Sequence, residues 1–530
     1  MLYHVVIYLT GKLRNHKLIA ESKGKLSVSR MSGNPNTSNF RVAIVGGGMA
    51  GSTAAYYLRQ LFGSRVGITL FEQSGRIGGR MKSIDFAGQR EEVGASIFHE
   101  SNQYMLTFAK QFGLGITDES KSDDRIMFYA GHEHLSFSTL GGASFLVPFR
   151  LLWRYGISLI WVRWYTGSII REFSKIYSLQ DRGHCFTTTA RLFEALKPEF
   201  LEMTKWTYGD WLNKKFRVSE TFKEEIAYGL VSNNYCQNLS VHAFVGFITM
   251  ATIISKLFSV KEGNEQVPQR LVDSAMKGGC PDNPSQLVNA QVTNIRSTKV
   301  ESCSWEVEYR PNDGEQVKRD TFDYVILAVP VNQQTNIQTD GTVQLPCSEY
   351  QQVDKCLFAG SLKHWKFGIG PSSYLARQGV VIFPNQTSYL TGTCAFRSLI
   401  SSSLEENRAN GQRIWNSFSV PHQTPNPIRS IGDEYIDQSG EKPTPPTIMN
   451  WLAYPVYKPV RNPHEDLGKF VLAPKFYYVN AIEQMASCME IAAIGGRNAA
   501  LLVAADIEAG ETRNGNKNRT PLAVLDQNVG

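Results

Sequence analysis

RVAIVGGGMAGSTAAYYL, residues 41–58, runs from an unbroken apolar stretch into three spaced glycines and then into a helical pattern. Val42 to Val45 have the character of a strand buried on both faces. Ala54, Ala55, Leu58, Leu61 and Phe62 recur at helical spacing, and Gly63 stands where that helix should stop. Between them Gly46, Gly48 and Gly51 spell GxGxxG, with Met49 and Ala50 inside the turn. Gly46 would permit the sharp turn and Gly48 the approach of a pyrophosphate to the backbone. Gly51 would let helix and strand pack closely, with the phosphates at the helix N-terminus. The stretch therefore predicts a strand, a tight turn and a helix that hold a dinucleotide.

The next run, VGITLF at 66–71, reads as a second strand ending at Glu72, about twenty residues past the last glycine, where a carboxylate accepts hydrogen bonds from ribose hydroxyls. SGRIGGRMKS follows at 74–83. Gly78, Gly79 and Arg80 resemble the segment that continues the dinucleotide site in FAD enzymes of the glutathione-reductase and amine-oxidase type. That resemblance selects FAD over NAD. It extends to FDYVILAVP at 322–330, similar to the strand that returns to the flavin domain, and to NAQVTNIRS at 289–297, where Val292 resembles the valine whose backbone approaches the adenine. VKEGNEQVPQRLVDSA at 260–275 resembles the glycine-containing loop and helix that line the flavin.

The implied fold class is α/β: a two-domain flavoprotein, with a Rossmann-like FAD domain and a discontinuous substrate domain of mixed sheet and helices. Residues 40–120, 255–335 and 474–510 would form the FAD domain, and 121–254 with 336–473 the substrate domain. Residues 1–39 form an N-terminal extension. The tail, 511–530, is polar and rich in Gly and Asn and reads as disordered. The proline-rich stretch from Pro421 to Pro446 reads as an exposed excursion.

With 530 residues, 42% hydrophobic and 19% charged, the chain can bury a large core. The net charge of +7 is concentrated in residues 1–40, where six basic residues face Glu21 alone. The remainder is close to neutral, so no basic footprint for nucleic acid is expected. No apolar run is long enough to span a bilayer, which leaves peripheral membrane contact as the compatible form. The eight cysteines are scattered without CxxC spacing and suggest neither a zinc site nor a disulfide scaffold. His132 and His134 in GHEHLS read as a polar hairpin, and no metal site is expected. His99 and His242 read as structural histidines. LYHVVIYLT at 2–10 could be a short secretory h-region, but no basic residues precede it. Asn36, Asn238, Asn385 and Asn518 head glycosylation sequons.

LLWRYGISLIWVRWYTGSII at 151–170 reads as a buried helix pair, or as a wall for a long apolar ligand. Its WRYG, with NNYCQNLSVHAFVG at 233–246, WLAYPVYKP at 451–459 and YYVNAIEQMASCMEIAAIGGRNAALL at 477–502, resembles the prenylcysteine oxidases, also called prenylcysteine or farnesylcysteine lyases. GASIFH at 94–99 and the unclear N-terminal signal depart from that pattern.

The resemblance implies FAD-dependent oxidation of the thioether of a farnesyl- or geranylgeranylcysteine left by breakdown of prenylated proteins. Hydride leaves the carbon beside sulfur, water adds, and the hemithioacetal collapses to cysteine and a prenyl aldehyde, with O2 reduced to hydrogen peroxide. It also implies a lysosomal or other secretory-pathway compartment, against a cytoplasmic reading of the N-terminus. By the same resemblance Asn480, Met489 and Glu490 neighbour the flavin, and no catalytic side chain is nominated, because the cofactor carries the difficult step. Two rivals stay open: a flavin oxidase for another terpenoid or amine, and a non-enzymatic prenyl-binding escort, against which Glu72 and the Gly78-Gly79-Arg80 segment speak.

Overall fold

The computed structural model describes residues 39–119, 125–131, 134–138, 147–298, 304–314, 316–341, 343–367, 378–382, 394–401, 413–421, 436–437 and 444–513. Strand β1 (Phe40–Val45) lies inside a nine-stranded sheet. On one side it pairs in parallel with β2 (Val66–Glu72), Val42 opposite Ile68. On the other it pairs with the later strand Tyr324–Leu327, Val42 opposite Tyr324. Every residue of β2 is buried, which is why its sequence is a continuous apolar run and not an alternation.

Beyond β2 comes β3 (Gln286–Ser297), with Asn289 opposite Glu72; the antiparallel strands Trp305–Pro311 and Lys318–Phe322 continue that edge. Strand β4 (Tyr324–Leu327) carries β5 (Phe476–Tyr478) in parallel, and Val471–Ala473 closes the other edge. Chain segments several hundred residues apart thus meet in one sheet.

Helix α1 (Met49–Phe62) follows the glycine turn, and all but one of its residues are buried. Helix α2 (Gln103–Gln111), helix α3 (Gln266–Met276) and the long helix α4 (Met489–Arg513) complete this layer. A methyl group on Gly496 would come within 2.3 Å of the Ala50 carbonyl oxygen, so α4 crosses α1 at backbone contact. Helix α4 also runs three residues into the stretch expected to be disordered, with Glu511 3.9 Å from Arg65. Residues 514–530, like 1–38, lie outside the described residues.

A second sheet of eight strands is built largely from antiparallel neighbours, with Tyr350–Leu362 flanked by Arg413–Pro421 and Thr447–Pro455. Within the proline-rich stretch, Ile436 pairs with Leu362 and is 1% exposed, so that part is docked on the sheet rather than displayed. Its neighbours 422–435 and 438–443 are outside the described residues. Arg125–Gly131 and His134–Ser138 form the expected hairpin; His132 is not described.

The helices between residues 147 and 251 are rich in aromatic residues and pack into the same core as the first sheet and its helices. Here the expectation of a buried helix pair is corrected. Val147–Tyr155 and Ser158–Phe173 bury one face each and leave Trp153, Trp161 and Trp164 exposed.

Candidate cofactor site and active site

The three glycines of the turn after β1 stand under different constraints. Gly46 has φ of +107°, and a Cβ there would meet the Ala328 carbonyl oxygen at 2.8 Å. A Cβ on Gly51 would sit 2.0 Å from the Gly46 carbonyl oxygen, so helix and turn can approach only with hydrogen at that position. Gly48 is different. Its φ of −73° and ψ of −176° suit any residue, and the nearest atom to an added Cβ is the Gly79 Cα at 3.8 Å. Nothing in the protein asks for glycine there, whereas a pyrophosphate lying against the backbone would. No side chain caps α1, which leaves its first-turn N–H groups to a ligand. Met49 and Ala50, both buried, open the helix.

Glu72 stands at the C-terminal end of β2, 7% exposed, its two oxygens accepting from the Gly47 and Ser74 N–H groups, each at 2.8 Å. A carboxylate has further acceptor capacity for ribose hydroxyls. The segment after it folds back onto the glycine turn: Gly78 N–H donates to the Gly47 carbonyl at 2.9 Å, and Gly78 bridges Gly48. Val292 lies on β3 three residues past the partner of Glu72, buried, at a break in the register with Trp305–Pro311.

Arg80 then turns into the protein. It is ion-paired to Glu483, donates to the Ala453 carbonyl at 2.6 Å and lies 5.9 Å over the Tyr350 ring. Burial opposes its charge, but Glu483 and Tyr350 outweigh that and hold it protonated. Glu483, 2% exposed, also accepts from Tyr350 Oη and Asn480 Nδ2, both at 2.7 Å. Asn480 therefore joins Arg80 in one network. Glu483 and Tyr350, which complete it, escaped the sequence reading.

Met489 and Glu490 open α4. Glu490 is fully buried and accepts from the Tyr104 and Met105 N–H groups and from Tyr177 Oη, so its carboxylate caps the N-terminus of α2. Burial raises its pKa to about 7. His242 caps helix Ala243–Ala251 through Nδ1, and its Nε2 lies 3.1 Å from the Gln484 carbonyl; burial lowers its pKa to about 4. His99 likewise is lowered to about 4 by burial, its Nδ1 2.7 Å from Ser101 Oγ.

A second group missed in the sequence links the two sheets. Lys355, on the strand Tyr350–Leu362, is 3% exposed, and its Nζ donates to Ser96 Oγ at 2.8 Å. Ser96 belongs to the loop whose Ala95 N–H donates to the Arg80 carbonyl at 3.0 Å. Burial pushes the Lys355 ammonium down and the Glu92 carboxyl up, each partly restored by the other's charge. The signal was a lysine in strand alternation with the apolar Val353, Leu357 and Ala359, the buried face of VDKCLFAG.

The residues present fit FAD: an open cradle at Gly48, a carboxylate at the end of β2, and buried Asn480 Oδ1 and Tyr457 Oη that have no partner among the described residues. Among the described residues, no cluster of His, Cys, Asp and Glu could hold a metal ion.

A sequence model of prenylcysteine lyase matches residues 142–516. The chain belongs to the prenylcysteine lyase family. A model of the NAD(P)-binding Rossmann-like domain matches residues 44–112, the turn and strands just described. Prenylcysteine oxidase 1 of Homo sapiens is 30% identical over 473 residues, 87% of this chain and 88% of that protein. Its Rattus norvegicus counterpart is 28% identical over 505 residues, 93% and 94% of the two chains.

Among solved structures, cyclohexylamine oxidase from Brevibacterium oxydans superposes with a TM-score of 0.55 at 14% identity, over 89% of this chain and all of that one. A putrescine oxidase superposes at 0.53, with 14% identity over 89% and 99% of the chains. These likenesses establish the fold. This prenylcysteine lyase family member has the α/β two-domain flavoprotein architecture and is an FAD-dependent oxidoreductase.

Proposed function

We propose that the enzyme cleaves S-prenyl-L-cysteine, taking O2 and water and releasing cysteine, the prenyl aldehyde and hydrogen peroxide. The supporting observation is where the family resemblance falls. The match over 142–516 takes in the helical layer and most strands of the second sheet, the part of the chain that differs most among enzymes sharing a nucleotide domain. Bound FAD supplies the two-electron acceptor for the carbon beside sulfur. That bond becomes a thiol and an aldehyde when water provides the carbonyl oxygen.

The chain's own residues bind, orient and manage protons. Gly48 and the first turn of α1 hold the pyrophosphate, and Glu72 the ribose. Arg80, Glu483, Tyr350 and Asn480 form a rigid polar floor beyond the Gly78-Gly79 turn. Lys355, a buried cation of the second sheet, is held on Ser96, next to the residue that bonds the Arg80 carbonyl; we assign it the proton handling that accompanies collapse of the hydrated intermediate. A hydrophobic chain site discriminates weakly between lengths, so farnesyl and geranylgeranyl substrates should both react. A lysosomal or other secretory compartment is part of the same proposal, with the exposed Asn238 sequon in its support; a shift on endoglycosidase treatment of protein made in a secretory host tests it.

The reaction is tested without oxygen. Farnesylcysteine should bleach the flavin absorbance once and stop, while amines and terpenoid alcohols leave it unchanged. Bleaching by those compounds and not by the thioether would reject the substrate assignment and keep the flavin oxidase.

A further inference from the structure

Lys355 is not the only charge enclosed in its part of the core. The short hairpin of Ser83–Phe86 and Gln89–Glu92 packs on the second sheet, where Phe86 and Val93 join Leu357, Ala359 and Ile414 in one apolar cluster. Glu92 ends that hairpin. Its Oε1 accepts from the Asn264 N–H at 2.6 Å, and its Oε2, also buried, has no hydrogen-bond partner among the described residues. A buried carboxylate with one oxygen left open costs stability unless a cation stands near.

Asn264 ties Glu92 and Lys355 to one frame. It is fully buried, and its Nδ2 donates to the Ala95 and Ser96 carbonyls at 3.0 and 2.7 Å, while its Oδ1 accepts from the Val260 N–H at 2.9 Å. Ser96 Oγ in turn receives Lys355 Nζ at 2.8 Å. The carboxylate and the residue that carries the ammonium therefore hang from a single asparagine. An ammonium has three donors, of which Ser96 takes one.

The two charges answer each other. Burial pushes the Glu92 carboxyl up, against the Asn264 N–H and the Lys355 charge; it pushes the Lys355 ammonium down, against Glu92 first and Glu91 second. Glu265, which opposes ionisation of Glu92, is itself paired with Arg90, Oε1 to Nη2 at 2.6 Å. From the second sheet, Arg413–Pro421 places the Phe418 ring 4.9 Å from Lys355 Nζ, and Thr447–Pro455 sets Met449 opposite Lys355.

We propose that Glu92 is a positioning residue for the reaction, a counter-charge fixed to Lys355 through the frame of Asn264 and Ser96. The inference rests on the role given to Lys355 above. With Glu92 ionised beside it, the ammonium can lend a proton to sulfur when the hydrated intermediate collapses. The C–S electron pair leaves with sulfur, the O–H pair becomes the carbonyl bond, and the hydroxyl proton restores the ammonium, so no proton is gained or lost.

Two measurements separate the pair from the reaction. Melting temperature reads the pair alone. Lys355→Met leaves the Glu92 charge enclosed without its cation, so the folded pKa of Glu92 rises further, and stability present below the ordinary carboxylate range is lost as pH climbs. That variant should melt several degrees below the parent at about pH 8 and much closer to it at about pH 5. Glu92→Gln added to it should restore most of the loss at the higher pH. Turnover reads the role. Glu92→Gln can still accept from Asn264 but lacks the counter-charge, so Lys355 gives up its proton at lower pH, and the basic limb of kcat should move acidward by about one unit. Should Glu92→Gln fold poorly, Ser96→Ala, which cuts the frame at the ammonium, should move the limb in the same direction. The limb is read with whichever substrate bleaches the flavin, so a wrong substrate assignment leaves this test intact. A limb that stays at the parental pH, or a double variant no more stable than Lys355→Met, would overturn the proposal. Lys355→Met with parental kcat would overturn it too, by removing the residue that Glu92 is held to serve.

Discussion

Replacing Gly48 separates the cofactor's demands from the protein's. At φ −73° and ψ −176° the residue is extended, and an added Cβ finds its nearest neighbour at 3.8 Å, so Gly48→Ala and Gly48→Val should fold normally. Their apo-protein stability should lie within about 0.5 kcal/mol of the parent, or slightly above it because a side chain restricts the unfolded chain. FAD should suffer. If the side chain displaces two charge-assisted hydrogen bonds from backbone N–H to phosphate, each worth about 1.5–3 kcal/mol, affinity falls roughly a hundredfold or more.

Gly51→Ala is the control with the opposite profile. Its methyl would lie 2.0 Å from the Gly46 carbonyl oxygen, so the apo-protein itself should lose stability, on the order of 2 kcal/mol. Apo-protein melting and fluorescence titration with FAD read the two quantities independently. A folded Gly48→Val protein with parental FAD affinity would refute the placement of the pyrophosphate. Apo instability equal to that of Gly51→Ala would show that Gly48 serves packing instead.

Glu72→Ala should weaken FAD binding by roughly tenfold, the loss of a ribose acceptor, and equilibrium dialysis measures it. Lys355→Met, close in volume, should keep the flavin but lower kcat in the steady state; an unchanged kcat would remove Lys355 from the chemistry. His242 contributes acid sensitivity of a definite sign. Its folded pKa is lowered to about 4 from about 6.5, so its stabilisation is complete above 6.5 and is lost as pH falls through 4. On the order of 3 kcal/mol is at stake over that window. His242→Asn, which can still cap the helix, should flatten the fall in urea-unfolding free energy between those pH values.

The legible parts of this protein were local. The turn from β1 to α1 and the fully buried β2 with Glu72 at its end lie within some thirty residues of one another, and short runs of sequence carry their signals. Arg80 and Asn480 were singled out by resemblance, but the partner that joins them, Glu483, lies 403 residues from Arg80 and has no local signature. Glu490 illustrates the same limit. Resemblance sets it beside the flavin, and nothing local tells that its carboxylate caps a different helix, 386 residues away. The outer tryptophans of helices Val147–Tyr155 and Ser158–Phe173 misled because an apolar residue carries no mark of which face it occupies. Only the packing of Leu151, Tyr155 and Leu159 shows which side is filled.

Thioether cleavage coupled to oxygen reduction at one flavin fixes the product stoichiometry. Purified yellow protein, given farnesylcysteine in air, should form free cysteine, farnesal and hydrogen peroxide in equal amounts at every time point, because each cleaved bond delivers one electron pair to one O2. A flavin-loaded protein that produces peroxide without cysteine, or cysteine without aldehyde, would rule that coupling out.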